Sequence, residues 1–228
     1  MNILIIGSRG RMGSTIYRIL SDSRHTLIAI DTHNLDILDD VVDEADLAII
    51  ATPFDVTIEY INYLSPLVRC MELTSTKNAM HAFRNRVISI HPLFGPGSFE
   101  NKDLRNIAFI SDISPRDSLK LVRELFEGFA VIPMTADEHD ELVSRIQVIP
   151  YIISLLADRV SAVTTINTRS KLILDSMAAI CREQNRTVMI DTIARNPFSM
   201  GILKDIEEKM SILGGELADR CSDIRLQH

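Results

Sequence analysis

The segment NILIIGSRGRMGSTIYRIL, residues 2–20, constrains this chain more than any other stretch. Residues 2–7 read as a continuously apolar strand, as a sheet buried on both faces requires, and helical periodicity then takes over through Met12, Ile16, Ile19 and Leu20. Gly7, Gly10 and Gly13 occupy the turn between the two. Lacking a Cβ, they permit a sharp bend and let the backbone approach a pyrophosphate at the helix N-terminus. Their spacing is G-x-x-G-x-x-G, so in a G-x-G-x-x-G frame Ser8 replaces the first glycine. Context compensates: a second apolar strand, TLIAID, ends on Asp31, 18 positions after Gly13, where a ribose-binding carboxylate belongs. Asp31 repels a 2′-phosphate and favours NAD, while Arg9 and Arg11 can each face a phosphate and leave NADP open. With Ser8 and Met12 these residues form the candidate cofactor loop.

Further strands follow at LAIIA (47–51), CMELT (70–74), VISI (87–90), IAFI (107–110) and FAVIPM (129–134). Asp55 is the expected cap of the helix after Thr52-Pro53; Ser114 and Pro115 are the expected cap and first residue of a helix closed by Gly128. Strands alternating with helices imply crossover connections and a parallel sheet. After Met134 the pattern changes. TADE, 135–138, is a capping box, and helical runs broken near Pro150, around Asn167 and at Pro197 fill the remainder. The expectation is an α/β protein: a doubly wound, mostly parallel Rossmann-type domain over residues 1–134, then an all-α helical domain over 135–228.

With 46% hydrophobic and 24% charged residues, a chain of 228 can bury a sizeable core. A net charge of -7 gives no electrostatic footprint for nucleic acid or an anionic membrane, so a small molecule is the better partner. Cys70, Cys181 and Cys221 show no disulfide or metal-ligand spacing, which points to a reducing cytoplasm and no metal site. The N-terminus lacks a basic flank and a cleavage-type tail, and the longest later apolar run, Val148 to Ala157, is too short to span a bilayer. A soluble, unprocessed chain is expected.

Three polar segments fall beyond the carboxyl ends of strands, where a doubly wound sheet places its site: ATP (51–53), LTSTK (73–77) and SIHPLFGP (89–96). Thr52 and Pro53 extend the cofactor site. His91 can take a proton from a substrate hydroxyl near neutral pH, and Ser75 and Lys77 can position the imidazole or an anionic substrate.

In order and spacing, GSRGRMG, ELTSTK, HPLFGP and MTADEHDELVSRIQVIPYI together resemble the prephenate dehydrogenase family of tyrosine biosynthesis. The likeness runs over most of residues 1–155 and thins beyond. Its most specific piece is His-Pro-x-Phe-Gly-Pro after a Ser-x-Lys turn, with Glu-His-Asp downstream. The resemblance implies oxidative decarboxylation: hydride passes from the hydroxyl-bearing ring carbon of prephenate to a nicotinamide, the ring carboxylate leaves as carbon dioxide, and 4-hydroxyphenylpyruvate results. Arogenate would give tyrosine. On this likeness His91 matches the catalytic histidine, Ser75 the serine that orients it, and His139 a histidine facing the cleft; no metal is required. A homodimer through the helical domain is also implied, for which Leu172, Ile173, Met177 and Ile180 supply an apolar stripe. Residues 201–228 read as an amphipathic helix broken at Gly214-Gly215, and the short chain suggests a compact version or a piece of a fusion with other aromatic-pathway domains.

The departures fall in the helical part. Val148 and Tyr151 replace both histidines of the family's His-Leu-Pro-His segment, and Thr192 stands where the family has an arginine. A dianionic substrate needs cationic donors, for which Arg145 and Arg195 are the candidates. The candidate substrate-binding set is therefore Lys77, His139, Arg145, Tyr151, Thr192 and Arg195. Two other readings stay open: a dihydrodipicolinate-type reductase, suggested by GRMG in the first loop, and a catalytically silent dinucleotide-binding protein of the same fold.

Overall fold

The computed structural model describes residues 1–95, 97–161 and 163–226, the last five by backbone alone; Pro96, the end of the HPLFGP segment, lies outside them. The chain divides into two compact units, Met1–His139 and Asp140–His228.

Seven strands, β1 (Asn2–Ile6), β2 (Thr26–Ile30), β3 (Leu47–Ile50), β4 (Cys70–Glu72), β5 (Val87–Pro92), β6 (Asn106–Ile110) and β7 (Ala130–Met134), form one sheet in the order β2-β1-β3-β4-β5-β6-β7. Every pair is parallel except β5 with β6. A parallel return needs a crossover; among the described residues between β5 and β6 the one helical element is a 3₁₀ turn, Lys102–Leu104, and β6 runs antiparallel to β5. The mostly parallel Rossmann-type architecture read from the sequence is thus observed.

Successive strand residues feed opposite faces. Ile3, Ile5, Leu47 and Ile49 pack with Ile16 and Leu20 of helix α1 (Arg11–Ser21); Leu4, Ile6, Ala48 and Ile50 lie on the other side with Leu38 and Val42 of α2 (Leu38–Val42) and Ile61 and Leu64 of α3 (Phe54–Leu64). Burial on both faces is why these strands read as uninterrupted apolar runs. Helix α4 (Ser118–Leu125) covers the first face through Val122 and Leu125.

Two helix starts differ from the expected ones. Pro53, not Asp55, caps α3, with Asp55 inside the first turn. Ser114 does not open α4, which begins at Ser118; its buried hydroxyl oxygen instead accepts from the Ser89 amide of β5 at 2.9 Å. A buried strand amide without a ladder partner must find an acceptor, and Ser114 supplies it.

From Ala136 onward the described residues are helices and their connections. The capping box forms as read: the Thr135 amide donates to Glu138 Oε2 at 2.8 Å and the Glu138 amide to Thr135 Oγ1 at 3.3 Å. Helix α5 (Ala136–Val143), a π-type turn (Ser144–Val148) and α6 (Ile149–Val160) run on without the expected break at Pro150. Proline lacks an N–H and its ring crowds the carbonyl four residues back, and the wider turn just before Pro150 absorbs both. Helices α7 (Arg169–Glu183), α8 (Arg186–Arg195) and α9 (Ser199–Leu226) follow. The gaps near Asn167 and Pro197 are as expected; the one at Gln184 was not, although Asn185 marks it by accepting from the Thr187 amide at 2.9 Å. Helix α9 passes through Gly214-Gly215 unbroken, contrary to expectation, since a helical glycine costs only about 1 kcal/mol relative to alanine. Among the described residues no helix is long and apolar enough to cross a membrane.

Candidate active site

Sheet register brings the candidate residues of the first unit to one edge. Ile6 pairs with Ile50, Ile50 with Glu72, and Glu72 with Ser89, so the segments that follow, Gly7 to Gly13, Ala51 to Pro53, Leu73 to Lys77 and Ile90 to Pro92, all leave the same side of the sheet. The glycine loop and His91 are three strand steps apart, roughly 14 Å at about 4.8 Å per step.

At one end of this edge the backbone forms a cradle. Gly7 has φ +79°, and a Cβ there would stand 2.7 Å from the Ala51 carbonyl oxygen. The amides of Gly7 and Ser8 donate to the Ile30 carbonyl at 2.9 and 3.1 Å, locking the end of β1 to β2. Gly10 caps α1, whose first turn carries no acidic residue. A Cβ on Gly13 would lie 2.0 Å from the Gly7 carbonyl oxygen, so only glycine lets the helix approach this closely. A helix start kept open by glycines at these three positions fits a phosphate.

Asp31 closes the loop. Its Oδ2 accepts from the Arg9 amide at 2.8 Å and its Oδ1 from the Thr32 amide at 2.8 Å. These donors, the Arg9 amide foremost, hold its carboxyl below the usual range, so it is anionic at neutral pH. The Arg9 and Arg11 side chains are exposed, Ser8 is buried, and half-buried Met12 packs toward the sheet core. Thr52 Oγ1 sits 2.9 Å from Thr57 Oγ1, and Thr57 Oγ1 donates to the Thr52 carbonyl at 3.0 Å; this fastens the end of β3 to α3, with Pro53 exposed beside it.

At the other end stands His91, inside β5 rather than in the loop after it: Ile90, His91 and Pro92 pair with Phe109, Ala108 and Ile107 of β6. Its ring is buried, and Nδ1 lies 2.9 Å from Nε2 of His139, which is fully buried at the start of α5. The rings meet edge to face, centroids 5.1 Å apart. Burial, the neighbouring His139 and then Lys77 push the His91 pKa well below the ordinary imidazole value, so the ring is neutral at pH 7.

Beneath this pair lies a buried network of which only Lys77 was singled out in the sequence. Lys77 Nζ donates to Glu72 Oε1 and to the Ile90 carbonyl, each at 2.7 Å, and both charged side chains are 0% exposed. Ser89 Oγ also donates to Glu72 Oε1, while Glu72 Oε2 accepts from the Thr74 amide at 2.7 Å and its hydroxyl at 2.6 Å. A buried ion pair is tolerable when its lone pairs are filled, as those of Glu72 are here. The expected substrate contact for Lys77 is not what this geometry offers: its ammonium holds the peptide bond before His91. Ser75 is half-exposed on the same turn and makes no hydrogen bond to His91; that bond belongs to His139. Glu72, an acid in an otherwise apolar strand, was the one signal in the sequence that could have revealed the network.

The remaining candidates belong to the second unit. Arg145 is exposed, with an ion pair to Glu141 at 3.3 Å; Arg195 is exposed in the last turn of α8; Tyr151 is half-buried in α6. Thr192 is buried and its hydroxyl donates to the Val188 carbonyl at 2.8 Å, so it offers no open donor to a carboxylate in place of the missing arginine. Asn196, not anticipated, is buried and donates from Nδ2 to the Asp140 carbonyl at 2.8 Å.

No family model matches the chain. A curated relative, the T-protein of Enterobacter agglomerans, is 32% identical over 104 residues, 42% of this chain and 28% of that protein; the T-protein of Haemophilus influenzae is 26% identical over 102 residues, 41% and 27%. The chain thus aligns with under a third of the length of these relatives. Among solved structures, prephenate dehydrogenase from A. aeolicus in complex with hydroxyphenyl propionate and NAD+ has a TM-score of 0.74 at 16% identity, covering 97% of this chain and 92% of that one. Synechocystis arogenate dehydrogenase has a TM-score of 0.70 at 15% identity, covering 96% and 93%. These structures share the fold over nearly the whole chain, and the likeness to the T-proteins covers about two fifths of it.

Proposed function

We propose that this protein is a nicotinamide-dependent dehydrogenase that oxidatively decarboxylates prephenate, or its amino analogue arogenate. The observation that carries the reading is the sheet register, which sets a glycine-lined cradle and a buried neutral histidine on one edge about 14 Å apart. An extended dinucleotide spans such a distance; a compact ligand does not. The T-proteins, which carry a prephenate dehydrogenase domain, and the NAD+ complex of the A. aeolicus enzyme support the same assignment.

Gly7 to Gly13 and the start of α1 would hold the pyrophosphate, and Asp31 the adenosine ribose, which favours NAD over NADP. Bound there, the dinucleotide supplies the hydride acceptor. His91 takes the proton of the ring hydroxyl as its carbon loses hydride and the oxygen becomes a carbonyl. Loss of the ring carboxylate as carbon dioxide then makes the ring aromatic, and His91 returns the proton to the phenolate oxygen. The proton is lent, so the product leaves as a neutral phenol. Ser75, half-exposed on the adjoining turn, orients the substrate hydroxyl, and Arg145 and Arg195 are the donors proposed for the side-chain carboxylate.

The residues to Met134 form the dinucleotide-binding domain, and those beyond it the substrate and dimer domain. A homodimer through the helical unit is supported by its exposed apolar side chains, with Leu172 and Ile173 more than half exposed along α7.

The test mixes the protein with prephenate or arogenate and NAD or NADP and follows nicotinamide absorbance. Turnover with NAD is expected; silence with all four pairs sinks the reading. His91→Asn should leave the dissociation constant for NAD unchanged and cut turnover by about two orders of magnitude or more.

A further inference from the structure

We propose that His139 is the positioning partner of His91: it fixes the one tautomer of His91 that can act as a base and shares the proton His91 acquires. The inference rests on the dehydrogenase reading above for its catalytic meaning, but not for its geometry.

Two ring nitrogens 2.9 Å apart, His91 Nδ1 and His139 Nε2, hold one proton between them in the neutral state. If it sits on His91 Nδ1, then His91 Nε2 carries a lone pair and can accept from a hydroxyl. If it sits on His139 Nε2, a neutral His91 is protonated on Nε2 and has no base to offer. Only the first arrangement is productive, and it requires His139 as acceptor. His91 Nε2 takes part in no hydrogen bond with the described residues, which leaves it as the atom that meets substrate.

The surroundings favour sharing over a localised charge. His91 is 5% exposed and His139 0%. Lys77 lies near His91, holding the Ile90 carbonyl, and is ion-paired with Glu72. A full imidazolium on His91 is therefore poorly solvated and repelled by the nearby ammonium. When the substrate O–H bond breaks and an N–H bond forms on His91 Nε2, the Nδ1 proton can move toward His139 Nε2; one N–H bond weakens as the other forms, and the positive charge spreads over two rings. A carboxylate partner in this place would pull the proton harder and return it less readily. An imidazole partner suits a proton that has to be given back to the phenolate.

The dyad also explains the placement of His139. It is held by the first turn of α5, whose start is fastened by the Thr135–Glu138 capping box and by the Ala136 amide donating to Asp112 Oδ1 at 3.0 Å. His91 is held by pairing with β6 and by Lys77 on the Ile90 carbonyl. Both rings thus hang from fixed backbone, as a hydrogen bond between two buried imidazoles requires.

The experiment labels the protein's six histidines with ¹⁵N and assigns His91 by its loss in His91→Asn. At pH 8, without substrate, His91 should be protonated on Nδ1 and bare on Nε2. In His139→Phe the proton should redistribute toward Nε2, and in His139→Gln, whose amide oxygen can accept the same bond, it should stay on Nδ1. Turnover of prephenate should fall between about 10²- and 10⁴-fold in His139→Phe, with KM within about threefold, and recover at least in part in His139→Gln. A wild-type His91 protonated on Nε2 overturns the proposal, as does an unchanged tautomer or an unchanged kcat in His139→Phe. Should the wild type turn over neither prephenate nor arogenate, the function fails while the spectra still decide the dyad.

Discussion

Gly13→Ala tests the glycine cradle most sharply, because alanine is otherwise the better helix former. In an open helical position the exchange stabilises by about 1 kcal/mol. At Gly13 the added carbon would stand 2.0 Å from the Gly7 oxygen, 2.8 Å from the Gly7 carbonyl carbon and 3.1 Å from the Ser8 Cα. All three are backbone atoms, so no side chain can swing away. The first turn of α1 has to retreat by roughly 1 Å, at an overpacking cost of about 3 kcal/mol, the upper end of the usual range. The net loss is about 2 kcal/mol, or a fall in Tm of roughly 4–8 °C for a chain of this size. The same retreat pulls the amides of the cradle out of line, and NAD affinity should drop by at least about tenfold, which corresponds to 1.4 kcal/mol. Gly201→Ala is the control: it lies in α9 with nothing within 4 Å of its added carbon, and should be neutral or slightly stabilising. Urea unfolding and calorimetric titration with NAD measure both variants. A Gly13→Ala protein that unfolds and binds NAD like Gly201→Ala would refute the cradle.

Three further outcomes are expected. Asp31→Ser removes both the proposed ribose acceptor and the carboxylate on the Arg9 amide, so the ratio of kcat/KM for NADP to that for NAD should rise; an unchanged ratio would assign the choice to Arg9 or Arg11. Lys77→Met leaves Glu72 buried without its cation and should cost about 3–5 kcal/mol, most of it recovered when Glu72 is also made apolar; a single variant within about 1 kcal/mol of wild type in urea unfolding contradicts that. Because burial, His139 and Lys77 depress the His91 pKa, the unfolded chain binds the extra proton below about pH 6.5 and the native state does not. That stability is therefore present above pH 6.5 and lost as the pH falls, at up to about 1.4 kcal/mol per unit. Unfolding between pH 5 and 7.5 should show a shallower slope in His91→Asn, and equal slopes would remove His91 as the group responsible.

The parts legible in the sequence are those that a local pattern encodes. Apolar runs, the glycine spacing and Asp31 at the end of its strand each follow from the geometry of one strand–turn–helix unit, and the Thr135–Glu138 box from four consecutive residues. Where the reading failed, the deciding partner was distant. Ser114 looked like a helix cap because Pro115 follows it, yet its hydroxyl is taken by Ser89, 25 residues earlier. Pro150 looked like a break because the cost of proline is local, while the π-type turn that relieves it is not written in any residue type. Gly214-Gly215 looked like a break for the same reason.

His91 shows both sides of this. Its placement was legible, since an apolar strand that runs into a histidine carries it to the carboxyl edge of a doubly wound sheet. Its fixed position comes from the strands around it. β5 is paired to β4 only as far as Ser89; from Ile90 to Pro92 it is held by the antiparallel partner β6. The histidine therefore rides on a strand that has just outrun its parallel neighbour, open on the side of the Ser75–Lys77 turn and fixed on the other. Lys77 closes that open side by gripping the Ile90 carbonyl, and only a fully buried ammonium with its own carboxylate can do so without unsettling the core. The acid in β4, the lysine after it, the one antiparallel pair and the distant His139 are four parts of a single device for holding one imidazole.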